Sequence, residues 1–294
     1  PVPHHVYHVP HYLAYLRELQ QVDRVALFVL DGFSWTDWQT VRAVWVGRHP
    51  NWSMKADALL AEVPTITAVS RHALISGLRP ADFLAEGSRP ASDDAAWRRF
   101  WSSQGIAEAA CGLAALSYDR GIDQRPELEN PQVRFWCLID DTPDRLAHNA
   151  TLGAADHQAS LRLWLDPAHE PDSGPLESWI DFYLERGYAV FIASDHGHVQ
   201  ATGIGQPAEG LEAQTRGKRA RLYRDRLAAL RVQQAFADTL LWEKEGLLPE
   251  GMVALMPEER AAFAPAGQVL VTHGGVSVEE ALVPFIHLTR ATSP

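Results

Sequence analysis

Runs of consecutive apolar residues that end in a charged residue recur along the chain. Residues 25–30 (VALFVL) precede Asp31, and residues 188–193 (YAVFIA) lead through one serine into Asp195. Residues 133–139 form a third strand-like stretch, apolar except for Arg134, that ends in two aspartates. Uninterrupted apolar runs of this length are typical of parallel strands that are buried on both faces. Further strands are predicted at 268–272 and 280–287.

Helical patterns lie between these strands. The predicted helices cover residues 14–21, 35–46, 68–75, 94–104, 148–165 and 176–186. Ser34 is a suitable N-cap for the second helix, and Gly77 and Gly187 follow helix ends where glycine is favoured. Because strands and helices alternate, the sequence predicts an α/β fold: a doubly wound central sheet with helices on both faces.

The same alternation predicts one large domain over residues 24–290. Residues 1–23 are expected to form an N-terminal edge or linker and a helix. Four histidines fall within residues 1–12, but their irregular spacing argues against a metal site there. The stretch at about 200–265 interrupts the alternation and begins with a predicted loop over residues 200–220 that is rich in glycine and charge, so we expect it to be an insertion.

The composition of the chain indicates the size of its core and the cellular compartment in which it is expected. Hydrophobic residues make up 46% of the 294 residues, enough for a sizeable core. The two cysteines, Cys111 and Cys137, do not make a disulfide framework, which favours a reducing cytoplasmic location. No apolar run approaches the roughly 20 residues that span a bilayer, and no signal peptide is visible, so no membrane association is expected.

Charge is distributed unevenly along the chain. The net charge of −11 disfavours nucleic-acid binding over the whole surface. One basic run stands out as either a solvated helix face or a phosphate-tracking patch. It comprises Arg216, Lys218, Arg219, Arg221, Arg224, Arg226 and Arg231.

Six side chains with oxygen or nitrogen donors lie at or near the predicted strand ends. They are Asp31, Asp144, His148, Asp195, His196 and His273. Asp144 and His148 stand four positions apart, so one turn of helix can present both to the same ion. Because ligands collect at the carboxyl ends of strands in open α/β sheets, we expect the six side chains to converge at that edge.

Six donors are too many for one tetrahedral metal site, and they suit two sites of three donors each. The set contains no thiolate, which favours Zn²⁺ first, with Mn²⁺ or Mg²⁺ as alternatives. Two cations about 3.5–4 Å apart can hold the attacking and the leaving oxygen of a phosphoryl displacement. The expected cofactors are therefore two divalent metal ions, and the expected chemistry is phosphoryl transfer.

Three stretches carry a resemblance to a known family. They are VLDGFS at 29–34, ASDHGHV at 193–199 and HGGVSVEEALVP at 273–284. Together with the Pro-Thr-x-Thr segment that begins at Pro64 and with the Asp144/His148 pair, their order resembles the alkaline phosphatase superfamily. The closest subset is the PglZ domain of bacterial BREX phage-defence systems. The resemblance covers residues 24–290 and implies an alkaline-phosphatase-like fold.

The resemblance also implies a role for each matching residue. Thr67 would be the nucleophile. The ligands of one metal would be Asp31, Thr67, Asp195 and His196. Those of the other metal would be Asp144, His148 and His273. Two roles have reserve candidates. Asp140 or Asp141 could replace Asp144 as a metal ligand, and Thr65 or Ser70 could replace Thr67 as the nucleophile.

Two further residues are candidates for substrate binding. Arg71 could contact the phosphate, or it could form a structural salt bridge. His198 could contact the phosphate, or it could orient a metal ligand. A helix that begins just after Thr67 would also point the free N–H groups of residues 68–70 at an anion.

The sequence thus predicts a hydrolase that forms a phosphothreonine at Thr67. Because Arg71 is the sole cation close to Thr67 in sequence, a phosphodiester of a nucleotide or oligonucleotide is favoured over a monoester. The resemblance places such an enzyme in antiviral (BREX) defence, with other defence-system proteins as partners. Two alternatives remain open: a scaffold or binding module with minor catalysis, and a phosphomutase, for which the 200–265 stretch would have to serve as a cap.

Overall fold

A computed structural model gives the three-dimensional structure of the protein. It describes residues 2–20, 22–83, 91–116, 125–166, 175–208, 211–212, 217–243, 247–248 and 251–290. The helices are α1 His8–Gln20, α2 Trp35–Arg48, α3 Thr67–Ser76, α4 Pro80–Phe83, α5 Asp93–Ser103, α6 Arg125–Leu128, α7 Thr142–Asn149, α8 Ala154–Trp164, α9 Pro175–Glu185, α10 Arg226–Ala235 and α11 Val278–Ala281. The strands are β1 Val25–Leu30, β2 Trp52–Leu60, β3 Cys111–Ala115, β4 Phe135–Asp140, β5 Ala189–Ser194, β6 Val199–Gly203, β7 Leu211–Glu212, β8 Arg221–Tyr223, β9 Thr239–Trp242, β10 Val253–Pro257, β11 Ala261–Ala262, β12 Val269–Thr272 and β13 Leu282–Arg290.

A six-stranded sheet forms the centre of the fold, in the order β2-β13-β5-β1-β4-β3. Strands β5, β1, β4 and β3 are parallel, and β13 and β2 add an antiparallel edge. The central strand β1 pairs with β4 on one side and with β5 on the other, so Leu30 lies beside both Asp140 and Ser194. The carboxyl ends of these strands therefore meet at one edge of the sheet.

Helices cover both faces of this sheet. Alternate residues of a strand point to opposite faces, so Val25 and Leu27 pack with α1, α3 and α5, while Ala26 and Phe28 pack with α2, α8 and α9. Both β1 faces are fully buried. The predicted doubly wound α/β fold is confirmed.

Several predicted boundaries were wrong. The helix predicted over 148–165 is two helices, because Gly153 adopts a positive φ of 87° between α7 and α8. Helix α1 begins at His8, earlier than predicted, and its Val9 and Leu13 are buried in the core. Strands β2 and β3 were not predicted. Strand β2 is an edge strand with much of its length exposed, so it lacks a continuous apolar run.

The described residues between 200 and 265 form one small sheet and, together with β12, contribute to a second. One has the order β7-β8-β10-β9 and packs against α10; the other has the order β11-β6-β12. The predicted loop over 200–220 is therefore wrong at β6, where burial alternates along the strand. Ala220 and Met256 of this region pack on Ile66 and Val69, at the start of α3.

None of the helices in the described ranges has both the length and the apolar character that a bilayer crossing requires.

Candidate metal centre

The first part of the site forms where β1 and β5 end side by side. Leu30 and Ser194 are register partners, so the next residues, Asp31 and Asp195, leave the sheet together. The Gly32 amide donates to Asp195 Oδ1 at 3.1 Å, which fixes one loop against the other. Gly32 has a φ of +67°, a conformation that suits glycine at this turn.

Thr67, the first residue of α3, lies against these loops. Its hydroxyl Oγ1 is 3.0 Å from His196 Nε2 and 3.3 Å from Asp31 Oδ1. His196 Nε2 is itself 3.5 Å from Asp31 Oδ1 and 3.7 Å from Asp195 Oδ2. Asp31, Asp195 and His196 thus form one buried cluster that could hold a metal ion, with the Thr67 hydroxyl at its edge.

A second buried cluster contains Asp144, His148 and His273. Helix α7 presents Asp144 and His148 one turn apart, with His148 Nε2 3.0 Å from Asp144 Oδ1. His273 follows β12, and its Nε2 is 3.6 Å from the same Asp144 oxygen. The rings of His273 and His196 stack with centroids 4.0 Å apart, so the two clusters are adjacent.

The electrostatics of the site suit added positive charge. Burial, together with the charges of Asp195 and Asp144, raises the pKa of Asp31 well above its ordinary value. Burial and the neighbouring His196 lower the pKa of His273 well below its ordinary value, so its imidazole is neutral and keeps a lone pair. Crowded carboxylates and neutral imidazoles are the donor set that a divalent cation prefers.

Hydrogen bonding provides a direct test of whether this donor set fits a metal. Asp195 Oδ2 and His273 Nε2 are buried, and neither has a hydrogen-bond partner among the described residues. His196 Nδ1 donates to the Gly197 carbonyl at 3.0 Å, and His273 Nδ1 donates to the Thr65 carbonyl at 2.9 Å. Because Nδ1 carries the proton, Nε2 of each ring points a lone pair into the site, as a metal-binding histidine requires. The residues therefore fit metal ions.

The reserve nucleophiles are engaged elsewhere. The Thr65 hydroxyl donates to the Gly275 carbonyl at 2.8 Å and accepts from the Gly274 amide at 3.1 Å. The Ser70 hydroxyl donates to the Asp195 carbonyl at 2.5 Å. Both hydroxyls thus hold the loops that carry the donors, and Thr67 is the hydroxyl that faces them.

The reserve carboxylates also lie outside the second cluster. The Asp140 carboxylate accepts from the Thr142 amide at 2.9 Å, at the end of β4. Asp141 is exposed and stands at the N-cap position of α7, where its side chain makes no capping hydrogen bond. Asp144 is the aspartate of this segment that meets His148 and His273.

The two predicted substrate-binding residues have structural partners. Arg71 Nη1 donates to Asp31 Oδ2, and its Nε donates to Asp93 Oδ2, each at 3.0 Å. His198 Nε2 donates to Asp37 Oδ2 at 2.7 Å instead of joining either cluster. The salt-bridge alternative for Arg71 is therefore present in the structure, and His198 is hydrogen-bonded to Asp37, which belongs to neither metal cluster.

A third cluster, which the sequence analysis missed, surrounds Asp37. It joins Asp37 to His157 and His198, and all three side chains are largely buried. The one sequence signal was the spacing of Ser34 and Asp37, which form a capping box at the start of α2. Nothing in the pattern around His157 distinguished it from other helical residues.

The basic run does not form one continuous phosphate-tracking surface. Arg219 and Arg221 are only 2% and 8% exposed, because both point into the protein at β8. Arg226 is exposed and pairs with Glu243 at 2.6 Å. Arg216 lies outside the described residues.

Arg219 instead holds the loop that follows His273. Its Nε donates to Glu280 Oε1 at 2.9 Å, and the same carboxylate oxygen accepts from the Gly275 amide at 2.8 Å. The Glu280 carbonyl accepts from the Gly197 amide at 2.8 Å. One buried ion pair therefore connects the His273 loop with the His196 loop.

Removal of this ion pair is expected to destabilise the protein strongly. Arg219→Met leaves the Glu280 charge buried without its cationic partner, and we expect the free energy of unfolding to fall by about 3–5 kcal/mol. Urea denaturation measures the change. The control is Arg260→Met, which breaks the exposed pair with Glu279 and should change the free energy of unfolding by about 1 kcal/mol or less. Equal effects of the two substitutions would contradict a structural role for the buried pair.

The fold and the position of the clusters define the class of protein. A doubly wound sheet with Asp/His clusters and a threonine hydroxyl at its carboxyl edge is an alkaline-phosphatase-like architecture. The profile of the BREX system PglZ alkaline phosphatase-like domain matches residues 14–288. The chain belongs to this family, which confirms the resemblance, and membership supports a function of the phosphoesterase type.

Solved structures share the fold at low sequence identity. Human ectonucleotide pyrophosphatase/phosphodiesterase 5 is 13% identical with a TM-score of 0.60, over 90% of this chain and 87% of that chain. The murine protein, in an inactive form in complex with AMP, is 13% identical with a TM-score of 0.56, over 90% and 88%. No curated protein matches the chain.

Proposed function

We propose that the protein is a two-metal phosphohydrolase that cleaves phosphodiesters of nucleotides or oligonucleotides through a phosphothreonine at Thr67. One observation carries the proposal. The Thr67 hydroxyl lies 3.0 Å from His196 Nε2 and 3.3 Å from Asp31 Oδ1, beside two adjacent clusters whose donors fit metal ions.

Each cluster would hold one divalent cation, Zn²⁺ first and Mn²⁺ or Mg²⁺ as alternatives. The ligands of the first cation would be Asp31, Thr67, Asp195 and His196. The ligands of the second would be Asp144, His148 and His273. When bound, the cations would supply Lewis acidity that lowers the pKa of the nucleophile and neutralises charge on the reacting oxygens.

Thr67 performs the covalent step in this proposal. Its Oγ1 forms a bond to phosphorus while the bond from phosphorus to the leaving oxygen breaks; the Oγ1 proton passes to solvent, and the leaving oxygen departs as an alcohol after it takes up a proton from solvent. Water then hydrolyses the phosphothreonine, which releases the phosphoryl product and restores the Thr67 hydroxyl. The position of Thr67 as the first residue of α3 fixes the direction of its side chain towards the donors.

The start of α3 offers a donor for the phosphoryl oxygens. The amides of Val69 and Ser70 are already bonded to the Ile66 carbonyl, at 3.0 and 2.9 Å. Of the three amides predicted to face the anion, the Ala68 amide is the one that stays available among the described residues. It would stabilise charge that develops on a nonbridging oxygen.

The charge around Thr67 favours a diester over a monoester. A monoester dianion requires an additional cation, yet the Arg71 guanidinium is already shared by the carboxylates of Asp31 and Asp93. A phosphodiester carries one negative charge and has less need of such a group. The AMP complex of the murine neighbour makes a nucleotide substituent a reasonable choice of substrate.

The family suggests the cellular setting. We place the activity in the cytoplasm, as part of antiphage (BREX) defence, with other defence-system proteins as partners. The two buried thiols, Cys111 and Cys137, are free, which agrees with a reducing compartment.

Cation content and turnover test the proposal together. The purified protein is treated with a chelator, dialysed, and titrated with Zn²⁺, Mn²⁺ or Mg²⁺ while an aryl phosphodiester, an aryl phosphomonoester and short oligonucleotides are assayed for hydrolysis. We expect two cations per chain, no turnover without them, and faster turnover of diesters. Two bound cations with no hydrolysis of any ester would instead indicate a binding module, and isomerisation without release of phosphate would indicate a mutase.

A further inference from the structure

The third cluster is built from the same residue types as the two candidate metal clusters, aspartate and histidine, but has the opposite hydrogen-bond chemistry. In the metal clusters, the ring Nδ1 atoms of His196 and His273 donate to carbonyl groups, and Nε2 carries the lone pair. In the third cluster, His157 Nε2 and His198 Nε2 lie 2.9 and 2.7 Å from carboxylate oxygens of Asp37. An ionised carboxylate only accepts, so both Nε2 atoms must carry protons.

The Asp37 carboxylate is also saturated by other donors. Its Oδ2 accepts from the Ser34 amide at 3.0 Å, and its Oδ1 accepts from Gln158 Nε2 at 2.6 Å. With the two imidazoles this makes four hydrogen bonds, two on each oxygen. His157 Nδ1 is buried and has no partner in the described part of the chain, whereas a metal-bound histidine normally donates from that atom. The side chains of the third cluster are therefore held together by N–H hydrogen bonds and not by a metal ion.

The cluster joins three segments that carry candidate metal ligands. Asp37 closes the turn that starts at Asp31, and His198 lies two residues after His196. His157 lies on α8, which packs against α7, the helix of Asp144 and His148. Each of these three segments thus contains the Asp37 carboxylate, donates to it, or packs on a helix that donates to it.

We propose that Asp37, His157 and His198 act as a clamp, which holds the Asp31 loop, the His196 loop and α7 at the spacing that cation binding requires. Asp37 and His157 are positioning residues in this scheme, not ligands. The inference rests on the proposed two-metal function for its consequence in catalysis, but the clamp itself is a property of the cation-free protein.

Two substitutions at His157 distinguish a clamp that is held by hydrogen bonds from a third metal site. His157→Gln places an amide N–H close to the position of Nε2 and preserves the hydrogen bond to Asp37, but an amide is a poor metal ligand. His157→Leu removes the hydrogen bond while filling the space. We expect wild-type protein and His157→Gln to bind two cations per chain with similar affinity, and His157→Leu to bind cations about 10–100-fold more weakly, with kcat reduced more than KM is raised.

Hydrogen exchange in the cation-free protein tests the clamp independently. The amides of Gly32 and Phe33 donate from the Asp31 loop to Asp195 Oδ1 and Ser194 Oγ, at 3.1 and 2.9 Å, and the Gly197 amide donates from the His196 loop to the Glu280 carbonyl at 2.8 Å. We expect these three amides to exchange at least about tenfold faster in His157→Leu than in wild type, with His157→Gln close to wild type. Amides of β1, in the centre of the sheet, serve as the reference for global unfolding.

The outcomes are distinct. A third cation that both substitutions abolish would overturn the clamp, as would unchanged exchange at the three amides in His157→Leu. Failure of the wild-type protein to bind any cation, with faster exchange in His157→Leu, would overturn the proposed two-metal function and leave the clamp standing. Loss of thermal stability in His157→Leu with cation affinity and local exchange unchanged would mean that His157 only fills the core.

Discussion

Replacement of Thr67 by alanine is expected to reduce kcat for a phosphodiester by at least about 1,000-fold, because the covalent step loses its nucleophile. Thr67 supplies one of several donors around the first cation site, so Asp31, Asp195 and His196 remain to bind the ion. Cation content should therefore stay close to two per chain. Steady-state kinetics and metal analysis of the same preparation measure both quantities.

Two matched variants make this result interpretable. Thr67→Ser keeps a hydroxyl at the start of α3 and should retain activity within about tenfold of wild type. Thr65→Ser keeps the hydroxyl that bonds to the Gly274 amide and the Gly275 carbonyl, so it should be nearly neutral. Turnover at the wild-type rate in Thr67→Ala would show that another group attacks phosphorus.

The second large effect is expected from Asp195→Asn. Asp195 Oδ1 accepts from the amides of Gly32 and His196, at 3.1 and 3.0 Å, while Oδ2 has no hydrogen-bond partner among the described residues. Asparagine can keep the acceptor on Oδ1 and place an NH₂ group where Oδ2 lies. The loops should therefore hold their positions, while the first site loses a charged ligand and gains a group that repels a cation.

We expect Asp195→Asn to weaken cation binding at this site by more than about 100-fold, which exceeds the effect typical of outer-shell changes. Activity should fall in parallel at limiting cation concentration. Asp141→Asn is the matched control, because Asp141 is exposed and its side chain makes no capping hydrogen bond to α7. Calorimetric titration of both variants gives the comparison. Equal cation affinity in wild type and Asp195→Asn would exclude Asp195 as a ligand.

The central sheet could be predicted from the sequence because its strands are buried on both faces. Such strands appear as unbroken apolar runs, as at residues 25–30, and the run ends where the donors begin. The antiparallel edge strand β2 alternates between exposed and partly buried positions and contains Lys55 and Asp57, so no run marks it. The small sheets after β5 are built from strands of two to five residues, which is too short for a periodic signal.

The donors could be predicted because each follows a strand or repeats at helical spacing. The partners that orient them could not, since they come from distant parts of the chain. Thr65 contacts the His273 loop across more than 200 positions, and Arg71 meets Asp93 through the packing of α3 on α5. Arg219 was read as part of a charged surface, because its buried partner Glu280 lies 61 positions away.

Gly217 shows how the region after β6 relates to the chemistry. A Cβ atom at this position would lie 3.2 Å from Ile66 Cγ2 and 3.3 Å from His273 Cε1, so backbone from that region runs directly beside the residue before Thr67 and beside one imidazole. Among the described residues, the segment from 217 to 257 contributes no member to either candidate metal cluster. If the protein has the proposed function, the groups that cleave the ester and the walls beside the substrate would therefore come from separate parts of the polypeptide, and the walls could diverge in sequence while the candidate ligands stay fixed.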